Sequence, residues 1–143
     1  MDVTSIENCT CLNLRKAARA VTQMYDEALR PSGLRATQLS VLAVIAHAGP
    51  VGMTELAKAL VMDRTTLTRN LKPLLDQGLV AVAIGADRRQ RPVELTAAGR
   101  AALERALPLW RAAQARTAEG LGAERWAGLL RDLDAAVVLA QAA

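Results

Sequence analysis

Phenylalanine is absent from these 143 residues, and Tyr25, Trp110 and Trp126 are the only aromatic side chains. The apolar mass is Ala, Leu and Val, which favours close-packed helices over an aromatic-filled core. Histidine occurs once, as His47, and cysteine twice, as Cys9 and Cys11. A single histidine leaves any Ser/His/Asp or Cys/His arrangement with one possible base, and a lone histidine in an apolar helix is more often structural than a ligand. The Cys-x-Cys spacing suits neither a structural zinc site, which needs Cys-x-x-Cys and further ligands, nor an easy disulfide within the pair. No Gly-rich phosphate loop and no usefully spaced carboxylate pair is present, so neither a cofactor nor a metal is expected, and an enzyme is the poorly supported class. No apolar run approaches the ~20 residues of a membrane span, and Met1–Thr10 lacks the apolar stretch of a signal peptide. The expected location is the cytoplasm, with no membrane partner.

What remains is a chain that is 52% hydrophobic, long enough for one domain or one core with terminal helical extensions. Cys11, Leu14, Ala18, Val21, Tyr25 and Ala28 recur at helical steps and predict a long first helix from Cys9 to about Leu29, ended by Pro31, Ser32 and Gly33. Thr37 is positioned to cap a second helix over Gln38–Ala48, closed by Gly49-Pro50. Thr54 heads a short third helix, Glu55–Leu60, and Asp63 a fourth, from Arg64 to about Gln77, closed by Gly78. In the fourth, Leu67, Leu71, Leu74 and Leu75 form the expected buried stripe, while Thr65, Arg69 and Lys72 fall on the opposite face. Pro73 removes the bond to the Arg69 carbonyl and should bend that helix or loosen its last turn. After a hairpin, Thr96 can cap a helix from Ala97 to about Ala118, with Leu103, Leu107 and Trp110 on one side and Gly120 and Gly122 as breakers. A last helix, Ala123–Gln141, carries Trp126, Leu129, Leu130, Leu133 and Val137 at helical spacing.

The hairpin lies in residues 79–99, LVAVAIGADRRQRPVELTAAG. Leu79–Ile84 and Pro92–Leu95 read as its strands, and Gly85–Gln90 as a polar tip bearing Asp87, Arg88 and Arg89, with Arg91 just beyond. A basic hairpin directly after a helix-turn-helix is the wing of a winged-helix DNA-binding domain. Charge placement agrees. Residues 58–91 hold seven basic residues, Lys58, Arg64, Arg69, Lys72, Arg88, Arg89 and Arg91, against three acidic ones, Asp63, Asp76 and Asp87. The rest of the chain is balanced, so the whole net charge of +4 sits where DNA would be touched.

Order and residues together resemble the MarR (multiple antibiotic resistance regulator) family of bacterial transcription factors over nearly the whole length. The sharpest likeness is Asp87-x-Arg89-x-x-x-Val93-x-Leu95-Thr96-x-x-Gly99, the family's wing signature. Asp63-Arg64-Thr65-Thr66-Leu67-Thr68-Arg69, followed by Leu74-x-x-x-Gly78-Leu79-Val80, is similar to its recognition helix. The resemblance implies a mainly α fold with a small β-hairpin wing, formed as one domain over 1–143. Its winged helix would cover about 35–97, and dimerisation helices about 8–30 and 97–141. It further implies a homodimer on a pseudo-palindromic operator, usually a repressor released by a small molecule or by oxidation. The candidate DNA contacts are Arg64, Thr65, Thr66, Thr68, Arg69 and Lys72 of the recognition helix (64–77) and Asp87, Arg88, Arg89 and Arg91 of the wing (85–91). By the same likeness Arg89 enters the minor groove and Asp87 orients it or a neighbouring arginine. The rival class is a non-specific or architectural nucleic-acid-binding module. It would show no site preference at physiological salt.

For the signal sensed, two alternatives stand open. Cys11 falls in the first turn of the first helix, where the N-terminal dipole favours an anion, with Arg15 one turn along. It is a candidate for oxidation to sulfenic acid, resolved by Cys9 or by a partner-chain thiol. Glu7-Asn8-x-x-Cys11-Leu12 followed by Tyr25 is similar to the organic-hydroperoxide branch of the family, in which the reactive cysteine bonds tyrosines of the other subunit. Cys11 and Tyr25 lie 14 residues apart, roughly 21 Å along one helix, so such a contact requires two chains. The branch's second tyrosine position falls near Ala36, which has no hydroxyl. Alternatively, the resemblance implies a pocket for an aromatic carboxylate or phenol between the first, second and fifth helices, with Arg15, Arg19 and Tyr25 as candidate lining.

Overall fold

The computed structural model describes residues 1, 3–84 and 91–142. Among these, the helices are α1 (Thr10–Leu29), α2 (Ala36–Ala48), α3 (Met53–Leu60), α4 (Arg64–Asp76), α5 (Ala97–Leu121) and α6 (Ala123–Gln141). Between α4 and α5 run β1 (Val80–Val82) and β2 (Val93–Leu95), paired antiparallel with Val80 opposite Leu95 and Val82 opposite Val93. This is the winged helix expected from the sequence.

Several helix starts differ from the expectation, those of α1 and α2 for a reason of capping. Cys9 lies just outside α1 as its N-cap, its Sγ accepting from the Leu12 N–H at 3.5 Å. α2 begins at Ala36 rather than after Thr37, because the Asp26 carboxylate of α1 accepts from the Ala36 N–H at 2.7 Å and Gln38 accepts from the Arg35 N–H. A cap supplied from ten residues upstream leaves no local signature. α3 starts at Met53 behind Gly52, which puts Thr54 inside the helix. Gly120 does not break α5, which runs on to Leu121. The stop is Gly122, whose φ of 87° is a conformation that side chains with a Cβ resist. Pro73 is carried within α4, three residues before its end.

The core fills the space between α2, α3, α4 and the first half of α5. Leu29, Leu42, Ile45, Leu56, Leu67 and Leu74 are fully enclosed, with Val80 and Val93 closing it from the sheet. Each such leucine contributes about 1.5–3 kcal/mol by leaving water. Leu75 departs from the expected stripe: Leu67, Leu71 and Leu74 are buried, whereas Leu75 is 39% exposed, one residue past the inward line. A third chain segment joins the sheet at a single residue. Val51 and Val93 exchange N–H···O bonds of 2.9 and 2.8 Å, tying the α2–α3 connection to the wing root.

The terminal helices behave differently. α6 has no buried residue, and Leu129, Leu130, Leu133 and Val137 are all exposed although they keep helical spacing. On α1, Leu14 and Val21 are likewise exposed.

Candidate nucleic-acid interface

α4 is held at its N-terminus by Asp63. One carboxylate oxygen accepts from the Thr66 N–H at 2.7 Å and the other from the Thr66 hydroxyl at 3.1 Å. These bonds to the ionised form, the backbone one foremost, hold the Asp63 carboxyl below its ordinary value. Arg69 adds a smaller favourable field. The cap satisfies orphan donors of the first turn and fixes where the helix begins.

With Leu67, Leu71 and Leu74 turned into the core, Arg64, Thr65, Thr68, Arg69 and Lys72 stand exposed on the other side. Their side chains are not equally free. Thr66 is half-buried, with its hydroxyl committed to Asp63, and the Thr68 hydroxyl donates to the Arg64 carbonyl at 2.9 Å. Lys72 pairs with Asp76 at 2.9 Å, an exposed ion pair worth little in water and easily exchanged for a phosphate. Among the described residues, the side chains of Arg64, Thr65 and Arg69 have no hydrogen-bond partner.

Arg64 and Arg91 line one open groove of about 650 Å3, with Pro50, Gly52, Thr54, Glu55 and Pro92 as neighbours. The start of α4, the start of α3 and the end of the hairpin at Arg91 and Pro92 therefore converge. Nothing local in the sequence marks Thr54 or the Pro50–Gly52 connection as part of this groove; the Val51–Val93 bridge that draws them in is long-range and invisible to periodicity. Lys58 is exposed on α3. Asp87, Arg88 and Arg89 fall outside the described residues.

A second, smaller cavity of about 280 Å3 lies between α1, α2 and α5. It is lined by Val21, Thr22, Tyr25, Ala36, Leu39, Ser40, Trp110 and Gln114. Of the three lining residues expected there, only Tyr25 is present. Its hydroxyl donates to the Gln114 side chain of the same chain and lies 3.5 Å from the Thr117 hydroxyl. Arg15 and Arg19 are exposed on α1 and do not line it, so the lining is uncharged. Cys11 is exposed, and it is Cys9, half-buried, that occupies the helix N-cap. Among the described residues no cluster of histidine, cysteine or acidic side chains could hold a metal ion, and no helix is long and apolar enough to cross a membrane.

The family model described as MarR family matches residues 32–90. The solved structure of the M. tuberculosis transcriptional regulator MosR in complex with DNA is 48% identical, covers 94% of this chain and 97% of that one, and superposes with a TM-score of 0.86. The chain belongs to the MarR family. Its fold is that of the family's DNA-binding transcriptional regulators. The transcriptional repressor CouR, solved bound to a 23-mer DNA duplex, is 28% identical at a TM-score of 0.82, over 96% of this chain and 98% of that one. CouR bound to p-coumaroyl-CoA is 25% identical at 0.84, over 96% and 97%. YwoH, an uncharacterized HTH-type transcriptional regulator of Bacillus subtilis (strain 168), is 34% identical over 83 residues, 58% of this chain and 61% of that protein.

The MarR-type signature Val93-x-Leu95-Thr96-x-x-Gly99 has a structural content here. Val93 is buried and bridges to Val51, and Leu95 pairs with Val80. The Thr96 hydroxyl accepts from the Gly99 N–H at 3.0 Å as the α5 cap, and Gly99 is buried against the backbone of Leu79. These residues build the joint beneath the wing.

Proposed function

We propose that this MarR-family chain acts as a dimeric transcriptional repressor, with 1–143 forming a single domain. In this reading the winged helix, about 35–97, grips a pseudo-palindromic operator through recognition helix 64–77 in the major groove and wing 85–91 beside it. Arg64, Thr65, Thr66, Thr68, Arg69, Lys72, Asp87, Arg88, Arg89 and Arg91 are its candidate contacts, Thr66 acting chiefly through its cap. The helices over about 8–30 and 97–141 join two copies about a two-fold axis.

The observation that carries this reading is the outward face of α4. Among the described residues, the side chains of Arg64, Thr65 and Arg69 make no hydrogen bond or ion pair, on a helix whose opposite face is locked into the core. Guanidinium and hydroxyl donors held in this way are suited to base edges and phosphates. The uncovered apolar residues of α1 and α6 support the dimer. Anisotropy titrations against DNA from upstream of the chain's own gene, at physiological salt and with unrelated competitor, test the reading. A large preference for one site supports it, and none at all would leave a non-specific DNA-binding module.

For release, the cavity between α1, α2 and α5 favours a small aromatic ligand. Its uncharged lining, with hydroxyl and amide groups from Thr22, Tyr25, Ser40 and Gln114, suits a phenol better than a free carboxylate. The p-coumaroyl-CoA bound by CouR is a phenolic precedent. Oxidation of a thiol is a second reading, favoured by the Cys9 sulfur at the α1 N-cap with Cys11 exposed two residues on. An organic hydroperoxide would convert one thiol to a sulfenic acid and leave as the alcohol. Loss of DNA binding on one equivalent of cumene hydroperoxide, reversed by reductant and absent in Cys9→Ser or Cys11→Ser, would favour oxidation. Indifference to peroxide, with release by a phenol, would favour the cavity.

A further inference from the structure

One hydroxyl joins the end of the recognition helix to the start of the helix that leaves the DNA-binding head. α4 stops in a Schellman arrangement: Gly78, at φ 70°, donates to the Leu75 carbonyl, and Leu79 to that of Leu74. The two carbonyls that follow this stop, those of Gly78 and Leu79, both point to Thr96. The Thr96 hydroxyl donates to the Gly78 carbonyl at 2.6 Å, and the Thr96 N–H to the Leu79 carbonyl at 3.1 Å. The same hydroxyl accepts from the Gly99 N–H at 3.0 Å, which makes it the N-cap of α5. A single side chain eighteen residues from Gly78 therefore serves as cap for one helix and anchor for the end of another.

α5 is the element that carries this joint outward. Its first half is packed into the head through Gly99, Ala102, Leu103 and Ala106. Its second half is tied to α1 through the Tyr25–Gln114 bond. A change in the angle between α4 and α5 at Thr96 is thus transmitted along the full length of α5.

We propose that Thr96 is a positioning residue that fixes the angle of the recognition helix to α5, and through it the half-site spacing that a dimer of this chain accepts on DNA. The inference rests on the dimeric reading above. One base pair more or less between half-sites displaces them by about 3.4 Å and about 34° around the axis. A rigid joint rejects such a displacement, and a loosened one tolerates it.

Three substitutions separate the two bonds of the hydroxyl. Thr96→Ser keeps both. Thr96→Asp keeps an acceptor for the Gly99 N–H but, ionised, cannot donate to the Gly78 carbonyl. Thr96→Val keeps the shape and loses both bonds. Each would be titrated on a duplex selected from a randomised library by the wild-type protein, and on derivatives with one base pair inserted or removed between the half-sites. Thermal unfolding would be recorded alongside. The expected result is that Thr96→Ser retains the wild-type spacing preference. Thr96→Asp and Thr96→Val should lose about fivefold of it or more, on the scale of one hydrogen bond per protomer. Base preference within a half-site should persist. Retention of the full spacing preference by both Thr96→Asp and Thr96→Val would overturn the inference, as would a uniform loss of affinity on every spacing that merely follows thermal stability. If the wild type itself ignored spacing, the dimeric reading would fail, and the role of Thr96 with it.

Discussion

Gly99 lies hard against the carbonyl of Leu79: a Cβ added to it would stand 1.9 Å from that oxygen and 2.9 Å from the Leu95 side chain. Backbone on that side cannot yield without moving the wing root. Gly99→Ala is therefore expected to cost about 3 kcal/mol. That corresponds to a fall in Tm of roughly 6–12 °C at fixed protein concentration. A variant that melts with the wild type would show that the joint between β2 and α5 is compliant.

Asp63 offers an acid-dependent test. Because its folded carboxyl is held below the ordinary value of 3.8 by the Thr66 N–H and hydroxyl, the stabilisation is complete above that ordinary value. It is lost as pH falls through the depressed folded value. Asp63→Asn keeps an acceptor but has no proton to gain, so its Tm should fall less steeply than that of the wild type below pH 4. Asp63→Ala should lower both Tm and DNA affinity at neutral pH by freeing the first turn of α4. Parallel acid profiles for wild type and Asp63→Asn would count against the cap as an acid-sensitive element.

The candidate DNA contacts divide by the kind of contact expected of them. Arg64, beside Arg91 at the wing base, is expected to meet phosphate. Arg64→Ala should then weaken all DNA alike and reduce the salt slope by about 1. Thr65 and Arg69 lie on the outward face, and replacing either should change base preference at one position, by about 1–3 kcal/mol for Arg69. Arg89→Ala, from the wing signature, should weaken operator binding at least about tenfold with the fold intact. Titration on a panel of single-base operator variants at two salt concentrations distinguishes these outcomes.

Val61 occupies the turn between α3 and α4 at φ 54°, in the left-handed region, although its side chain is β-branched and 57% exposed. Little packing is lost by replacing it. Val61→Asn should raise stability by about 1 kcal/mol as the strain is relieved. A lower Tm would mean that the valine makes a contact worth more than the strain.

Much of this architecture was legible in the sequence because its signals are local. Asp63 as a cap, the Leu67–Leu71–Leu74 stripe and Thr96 at the head of α5 all declare themselves within one or two helical turns. Leu75 defeats the stripe reading because an adjacent leucine satisfies composition while lying about 100° from the inward line. The start of α2 and the single-residue bridge at Val51 leave no local signal because their partners, Asp26 and Val93, are remote in sequence. At the candidate sensing site, helical spacing placed Tyr25 correctly on the inner side of α1. It could not show that Arg15 and Arg19 stay outside the cavity, which depends on how α1 rolls against α5. Cys11 keeps its expected place in the first turn of α1, while the sulfur at the cap is that of Cys9.

The bare leucines and valines of α6 carry a further meaning for how such a chain behaves in dilute solution. A helix of nineteen residues with no buried side chain draws little support from its own fold. In the proposed dimer its order depends on a second copy, so thermal stability is tied to protomer concentration through mass action. Dilution would then act as a mild denaturant. Newly made chains would be most vulnerable to proteolysis while scarce, and DNA binding would set in only once enough of them had accumulated to shelter one another.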